Sequence, residues 1–189
     1  NPTDEETAEA LNFLKNPALM ENIILDLEHI GYIADDTNKL LAYLIATSRK
    51  LEKPLSCIII SSSSTGKSYL METIACLMPD EELEFYSRIT PQSLYYMDKD
   101  QLKHKLLIVD ERSGSEEADY AIRNLQTRHK LTLAYPLKDA MTGRMKTVVV
   151  EMNGPIAFME SSTKHRLNPE NTSRCLLIYL DETEEQTKR

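Results

Sequence analysis

Residues 55–79 constrain the fold more than any other stretch. An apolar run, Leu55-Ser56-Cys57-Ile58-Ile59-Ile60, gives way to Ser61-Ser62-Ser63-Ser64-Thr65-Gly66-Lys67-Ser68, and then to Tyr69-Leu70-Met71-Glu72-Thr73-Ile74-Ala75-Cys76-Leu77-Met78-Pro79. β-branched side chains on both sides of the pleat predict a strand buried in a parallel sheet. Leu70, Met71, Ile74, Leu77 and Met78 recur at helical spacing, and Pro79 stops the helix. A strand, a short polar bend and a helix N-terminus in that order make an anion site, because orphan backbone N–H groups and the helix dipole both point into the bend.

The bend fits G-x-x-x-x-G-K-[ST] with one departure, Ser61 in place of the first glycine. Ser63, Ser64, Thr65, Gly66, Lys67, Ser68 and Tyr69 are the candidate nucleotide-binding residues. Lys67 is expected to reach the β- and γ-phosphates and the Ser68 hydroxyl to bind Mg²⁺. A flexible serine-rich linker ending in Gly-Lys-Ser is the plain alternative. A linker would not be flanked directly by a buried strand and an amphipathic helix.

A second stretch complements the first. Lys105-Leu106-Leu107-Ile108-Val109-Asp110-Glu111 is an apolar strand closing on two acids, far enough after Lys67 for a helix, a strand and another helix to intervene. Ligands of parallel sheets lie at the carboxyl ends of strands, so Asp110 is expected beside Ser68, holding Mg²⁺ through water. Glu111 would polarise the water that attacks the γ-phosphate. An acidic turn after a strand, common in α/β proteins, is the alternative.

The rest of the chain is read around these two strands. Residues 4–15 and 17–30 predict two helices divided by Asn16-Pro17, the second with Leu19, Ile23, Ile24, Leu27 and Ile30 on one side. Asp35-Asp36-Thr37 caps a third helix through about Leu51, with Leu40, Leu41, Tyr43, Leu44 and Ile45 as its apolar positions. These helices support the sheet, and the Ile30-Gly31-Tyr32 turn could touch an adenine. Glu84–Ile89 predicts a strand, Pro91–Tyr96 a short helix begun by Thr90, and residues 118–130 a longer helix. Residues 131–135 and 145–151 flank a glycine-containing turn and predict a hairpin with Lys138, Arg144 and Lys146 at its tip. Such lysines discourage aggregation at a sheet edge or face phosphates. Gly154–Met159 starts another core strand, ending in Glu160-Ser161-Ser162-Thr163; its hydroxyls could bond the γ-phosphate or the attacking water, or cap a turn. Cys175–Leu180 is a last strand, and the tail is charged.

A formal net charge of −8 argues against nucleic-acid binding by the surface as a whole. The distribution is uneven: residues 1–30 carry seven acids against Lys15, whereas residues 120–150 carry six bases against Asp139. The basic stretch could face phosphates. Cys57, Cys76 and Cys175 fall within apolar patterns and are expected to be buried, reduced thiols; the four histidines lack ligand spacing. No membrane span or signal peptide is visible, so a cytoplasmic location is expected.

These pieces in this order resemble the AAA+ ATPases over about residues 20–180. Walker A falls at Ser61–Ser68, Walker B at Leu106–Glu111, a sensor-1 strand ends near Ser162 or Thr163, and Arg174 occupies an arginine-finger position. The hairpin before the sensor-1 strand looks like the pre-sensor-1 insertion of minichromosome-maintenance and superfamily-3 helicases. Pro54-Leu55-Ser56, the serine-rich Ser61–Ser68 and Leu102–Leu107 resemble the ATPase domain of bacterial primase-helicases of phages and mobile elements.

The resemblance implies an α/β fold of P-loop AAA+ type: a central parallel sheet with flanking helices, N-terminal helices and an inserted β-hairpin. Residues 1–54 would be a helical segment packed on the core, 55–181 the ATPase core with the hairpin at about 131–150, and 182–189 the start of a lid or linker. It further implies ATP and Mg²⁺ as cofactors, a homo-oligomer of hexameric type with ATP between subunits, and Arg174 acting on the neighbour's nucleotide. Hairpins would line a channel and grip DNA. Ser61 and the missing lid imply weak ATP binding and slow turnover. The implied function is the motor domain of a DNA replication helicase. A nucleotide-dependent initiator or loader that does not translocate, and a P-loop small-molecule phosphotransferase, are the alternatives.

Overall fold

The computed structural model describes residues 2–33, 35–61, 65–110, 116–163 and 168–180. Five strands form one parallel sheet: β1 (Ser56–Ile60), β2 (Leu83–Tyr86), β3 (Lys105–Val109), β6 (Ile156–Ser162) and β7 (Leu176–Tyr179), in the order β2-β3-β6-β1-β7. The inner strands β1, β3 and β6 are almost wholly buried and carry near-continuous apolar runs, whereas the outer strands β2 and β7 are only partly covered. On one face, Cys57, Ile59, Leu106, Ile108, Ala157 and Met159 pack with residues of α2 (Leu19–His29), α3 (Asp36–Thr47) and α4 (Thr65–Cys76). On the other, Leu107, Val109, Ile156 and Phe158 pack with α5 (Pro91–Tyr95), α6 (Glu116–Arg128) and the base of a hairpin. Period-two alternation thus divides β3 and β6 between two cores, and each fully buried aliphatic side chain contributes about 1.5–3 kcal/mol.

The hairpin pairs β4 (Lys130–Lys138) with β5 (Met145–Asn153) as a separate two-stranded sheet. It is not an edge of the main sheet. Leu131 and Met152 at its base are buried, whereas Met141 at its tip is 96% exposed. Asp139 shapes that tip: its carboxylate accepts from the N–H groups of Met141 (3.0 Å) and Thr142 (2.9 Å). Those bonds hold its carboxyl below the usual range.

The N-terminal helices differ in how far they join the core. α1 (Asp4–Leu14) carries a capping box, Thr3 N–H to Glu6 at 2.7 Å and Glu6 N–H to Thr3 Oγ1 at 3.2 Å, yet buries none of its residues. α2 buries Ile23 and Leu27, while Ile30, predicted on the same side, is exposed.

In α3 the buried face is Lys39, Ala42, Ile45 and Ala46, and the predicted Leu44 is exposed. Lys39 is 0% exposed because its ammonium meets Asp36 (2.7 Å) and Glu28 (3.3 Å), with the Tyr32 carbonyl at 3.5 Å. The α-helix proper ends at Thr47, and a 3₁₀ turn over Ser48–Lys50 continues it to the predicted end near Leu51. Ser48, the first residue of that turn, donates to the Ile45 carbonyl (2.6 Å) and accepts from the Leu55 N–H (2.8 Å), which ties the helix end to the entry of β1.

Two further expectations are corrected. β2 ends at Tyr86, short of Ile89, which packs into the core beyond the strand. Of the three free cysteines only Cys57 is buried; Cys175 is half-buried and Cys76, on the outer side of α4, is exposed. Among the described residues no helix is long and apolar enough to cross a membrane.

Candidate functional site

β1 delivers the chain to the phosphate-loop motif at the carboxyl rim of the sheet. Ser61 is buried, donates its N–H to the Ser162 carbonyl (3.4 Å), and accepts from Lys67 Nζ at its own carbonyl (2.9 Å). Its φ is not positive; among described non-glycine residues only Asp35, His104 and His129 have positive φ. The conformation at position 61 therefore does not require glycine, and serine is accommodated. Ser63 and Ser64 lie outside the described residues. α4 starts at Thr65, so Gly66, Lys67, Ser68 and Tyr69 occupy its first turns, where backbone N–H groups lack helical partners.

The strand order sets the other half of the site. β6 lies between β1 and β3, so the motif and the acid strand are not adjacent, and a third strand end intervenes. Ser68 Oγ nevertheless donates to Asp110 Oδ1 at 2.8 Å. Asp110 is anchored further by its N–H to the Tyr86 carbonyl (3.0 Å) and by its own carbonyl, which accepts from Ser161 Oγ; that hydroxyl is also 3.4 Å from Asp110 Oδ1. A hydroxyl and a carboxylate are hard oxygen donors of the kind Mg²⁺ takes, alongside water and phosphate oxygens.

Of the strand-end hydroxyls, Ser162 and Thr163 are the expected site residues, yet it is Ser161 that reaches Asp110. Ser162 approaches the motif through its backbone carbonyl, and Thr163 is exposed past the strand end. The register explains the difference. Val109 pairs with Glu160 and Ile59 with Ser161, so the side chain continuing the Ala157 and Met159 face is that of Ser161. That face carries α4. Alternation along β6 was the available signal.

Glu111 lies outside the described residues. Tyr69, directly after Ser68, stacks on Tyr32 with ring centroids 5.7 Å apart. Gly31 passes beneath it: with φ of 111°, a Cβ there would come within 2.5 Å of Tyr69 Oη. Burial, and secondarily the charge of Asp35, push the Tyr32 hydroxyl up to about 12. The Ile30-Gly31-Tyr32 turn is thus brought to the first turn of α4.

Arg174 follows a one-turn helix, α7 (Pro169–Thr172). Its Nε donates to Thr127 Oγ1 (3.2 Å), and its Nη1 to the Glu170 carbonyl and to Ser173 Oγ (3.2 Å). Lys138, Arg144 and Lys146 stand on the exposed end of the hairpin, remote in sequence and sheet from the motif, with Lys146 Nζ 3.4 Å from Asp139. Among the described residues no cluster of His, Cys, Asp and Glu could hold a metal by itself.

A parallel sheet with a phosphate loop after its first strand, and a loop serine bonded to the acid closing a second strand, is the architecture of a P-loop nucleotide-binding domain. Residues 4–189 match the family described as MTBMA_p00010 P-loop domain, and the chain belongs to that family. A comparison with curated proteins gave no match.

Proposed function

We propose that the chain is an ATP-hydrolysing motor domain of AAA+ type, working in a homo-oligomeric, hexameric ring as the engine of a DNA replication helicase of primase-helicase kind. The observation that carries the reading is the 2.8 Å contact between Ser68 and Asp110, with buried Lys67 on the same rim. Bound there, Mg²⁺ would neutralise charge on the β- and γ-phosphates. Ser68 and Asp110 would hold it, the N–H groups from Ser63 to Tyr69 would cradle the phosphates, and Glu111 would orient water. Lys67 would exchange the Ser61 carbonyl for a phosphate oxygen. Gly66 would leave the phosphates room to pass close to the backbone of the first turn of α4.

The motor reading draws on the hydroxyl-bearing strand end between the two motifs, on Arg174 at a finger position, and on a freestanding hairpin with basic residues at its exposed end. Steady-state hydrolysis with and without single-stranded DNA tests it. DNA-stimulated release of phosphate, lost in Lys67→Ala and Glu111→Gln, is the expected result. Hydrolysis unchanged in both variants contradicts it, and transfer of phosphate only to a small acceptor would make the chain a phosphotransferase.

A further inference from the structure

α7 is four residues long, and one helical turn does not hold itself in water. Its Asn168 cap and Pro169 start shape the turn but do not fix where it lies. A row of side chains from α6 does. Asn171, 6% exposed, donates its amide N–H to Asp119 Oδ2 at 2.7 Å, and Asp119 is itself 7% exposed. The amide oxygen of Asn171 accepts from Arg123 Nη1 at 2.8 Å, and Arg123 Nη2 is 3.1 Å from the Glu170 carboxylate. One turn further along α6, Thr127 Oγ1 accepts from Arg174 Nε at 3.2 Å. Positions 119, 123 and 127 repeat at i, i+4 and i+8, so a single face of α6 holds 170, 171 and 174 in succession.

We infer that Asn171, gripped between Asp119 and Arg123, is a positioning residue that sets the place of Arg174. The inference rests on the finger reading above. α6 starts at Glu116, soon after Asp110, so the helix that follows one nucleotide site holds, through Thr127, the arginine that would serve the next. An asparagine suits the middle of this clamp because its two ends are opposite: the N–H₂ faces a carboxylate and the carbonyl faces a guanidinium. A clamp aimed only at packing α7 would have no need to take the Arg174 side chain into the same row.

The test uses the whole chain and a substitution of equal size. Asn171→Asp turns the amide N–H₂ into a second carboxylate oxygen facing Asp119; adding Asp119→Asn restores a donor and acceptor across the pair. Asn171→Asp should lower kcat for ATP on the order of 10-fold to 10²-fold, the scale of a group misplaced by about an ångström. KM should stay within about twofold, because the variant's own phosphate loop is intact. The double variant should recover most of the rate.

Mixing separates finger placement from general damage. Lys67→Ala chains cannot turn over ATP but carry a sound finger, so adding them should raise the activity of Asn171→Asp chains as it raises that of Arg174→Ala chains. Three results overturn the inference. One is wild-type turnover in Asn171→Asp while Arg174→Ala is impaired, which leaves the finger standing without its clamp. Another is an Asn171→Asp defect that mixing does not repair although Arg174→Ala is repaired. The third is full activity of Arg174→Ala, which removes the finger reading and the clamp together.

Discussion

The Ser68 hydroxyl donates to Asp110 Oδ1 across 2.8 Å, although the strands leading to these residues are separated by β6. The contact spans the rim of the sheet where a phosphate loop and an acid-tipped strand converge. Its geometry is fixed from several sides: Ser68 sits in the first turn of α4, the Tyr86 carbonyl holds the Asp110 N–H, and Ser161 reaches the Asp110 carbonyl. The chemistry proposed for the chain depends on that convergence.

Ser161 holds the backbone of Asp110, whereas the Thr163 side chain is exposed beyond the strand. Ser161→Ala should therefore reduce kcat for ATP hydrolysis about tenfold, equivalent to ~1.4 kcal/mol, and Thr163→Ala should change it less than twofold. Steady-state kinetics on the two variants check the ranking. The reverse order would assign the sensor role to Thr163 and leave Ser161 structural.

Lys39 is completely buried, but its partners are not: the side chains of Glu28 and Asp36 are 39% and 62% exposed. Removing the lysine leaves two carboxylates that water can solvate, so Lys39→Met should cost less than about 1 kcal/mol. Removing both acids strands a buried ammonium, and Glu28→Gln with Asp36→Asn should cost about 3 kcal/mol or more. Urea unfolding measures both. Equal losses would show that Lys39 is stabilised by its carbonyl contact and packing rather than by the two charges.

Glu82 joins Arg49 (2.5 Å) and Lys50, tying the end of α3 to the start of β2. Partial burial pulls its carboxyl upward, but the hydrogen bonds and charges of Lys50 and Arg49 outweigh that pull and hold it below the ordinary range. A carboxyl lowered by folding contributes stability that is full above its unfolded-state pKa and is lost as pH falls through the folded one. The gap in Tm between wild type and Glu82→Gln should therefore be open at neutral pH and close below about pH 4. A gap that stays constant down to pH 3 would contradict the ion-pair account.

Of the basic residues at the hairpin tip, Lys146 is already near Asp139, whereas Arg144 has no acidic side-chain partner among the described residues. Arg144→Ala should weaken binding to single-stranded DNA and flatten its salt dependence by about 0.7 in log–log slope, the release of one phosphate contact. Lys146→Ala should do less, because its charge is partly neutralised within the tip. Fluorescence anisotropy over a salt series reads both effects, and unchanged slopes in both would leave the hairpin with another role.

Much of this architecture is legible in the residues. β1, β3 and β6 are recognisable because strands covered on both faces carry near-continuous apolar runs, and the loop and the acid pair stand at the ends of two such runs. What escaped is set by tertiary context. A lysine inside an apolar helix face is readable only once Glu28 and Asp36 are known to converge on it. Ser161 and Ser162 are alike in composition, and only the register with Val109 and Ile59 separates them. Cys76 follows an apolar helical pattern but points away from the sheet, and the contact of Arg174 with α6 joins segments far apart in sequence.

Magnesium-dependent ATP binding, measured by titration calorimetry, tests the central claim most directly. Wild-type chain should bind ATP more tightly with Mg²⁺ than with EDTA. Ser68→Ala and Asp110→Asn should lose that increment while keeping their metal-free affinity, and Lys67→Ala should lose affinity about tenfold or more in both conditions. A magnesium increment that survives intact in both Ser68→Ala and Asp110→Asn would mean that the 2.8 Å contact is not where the nucleotide's metal is held.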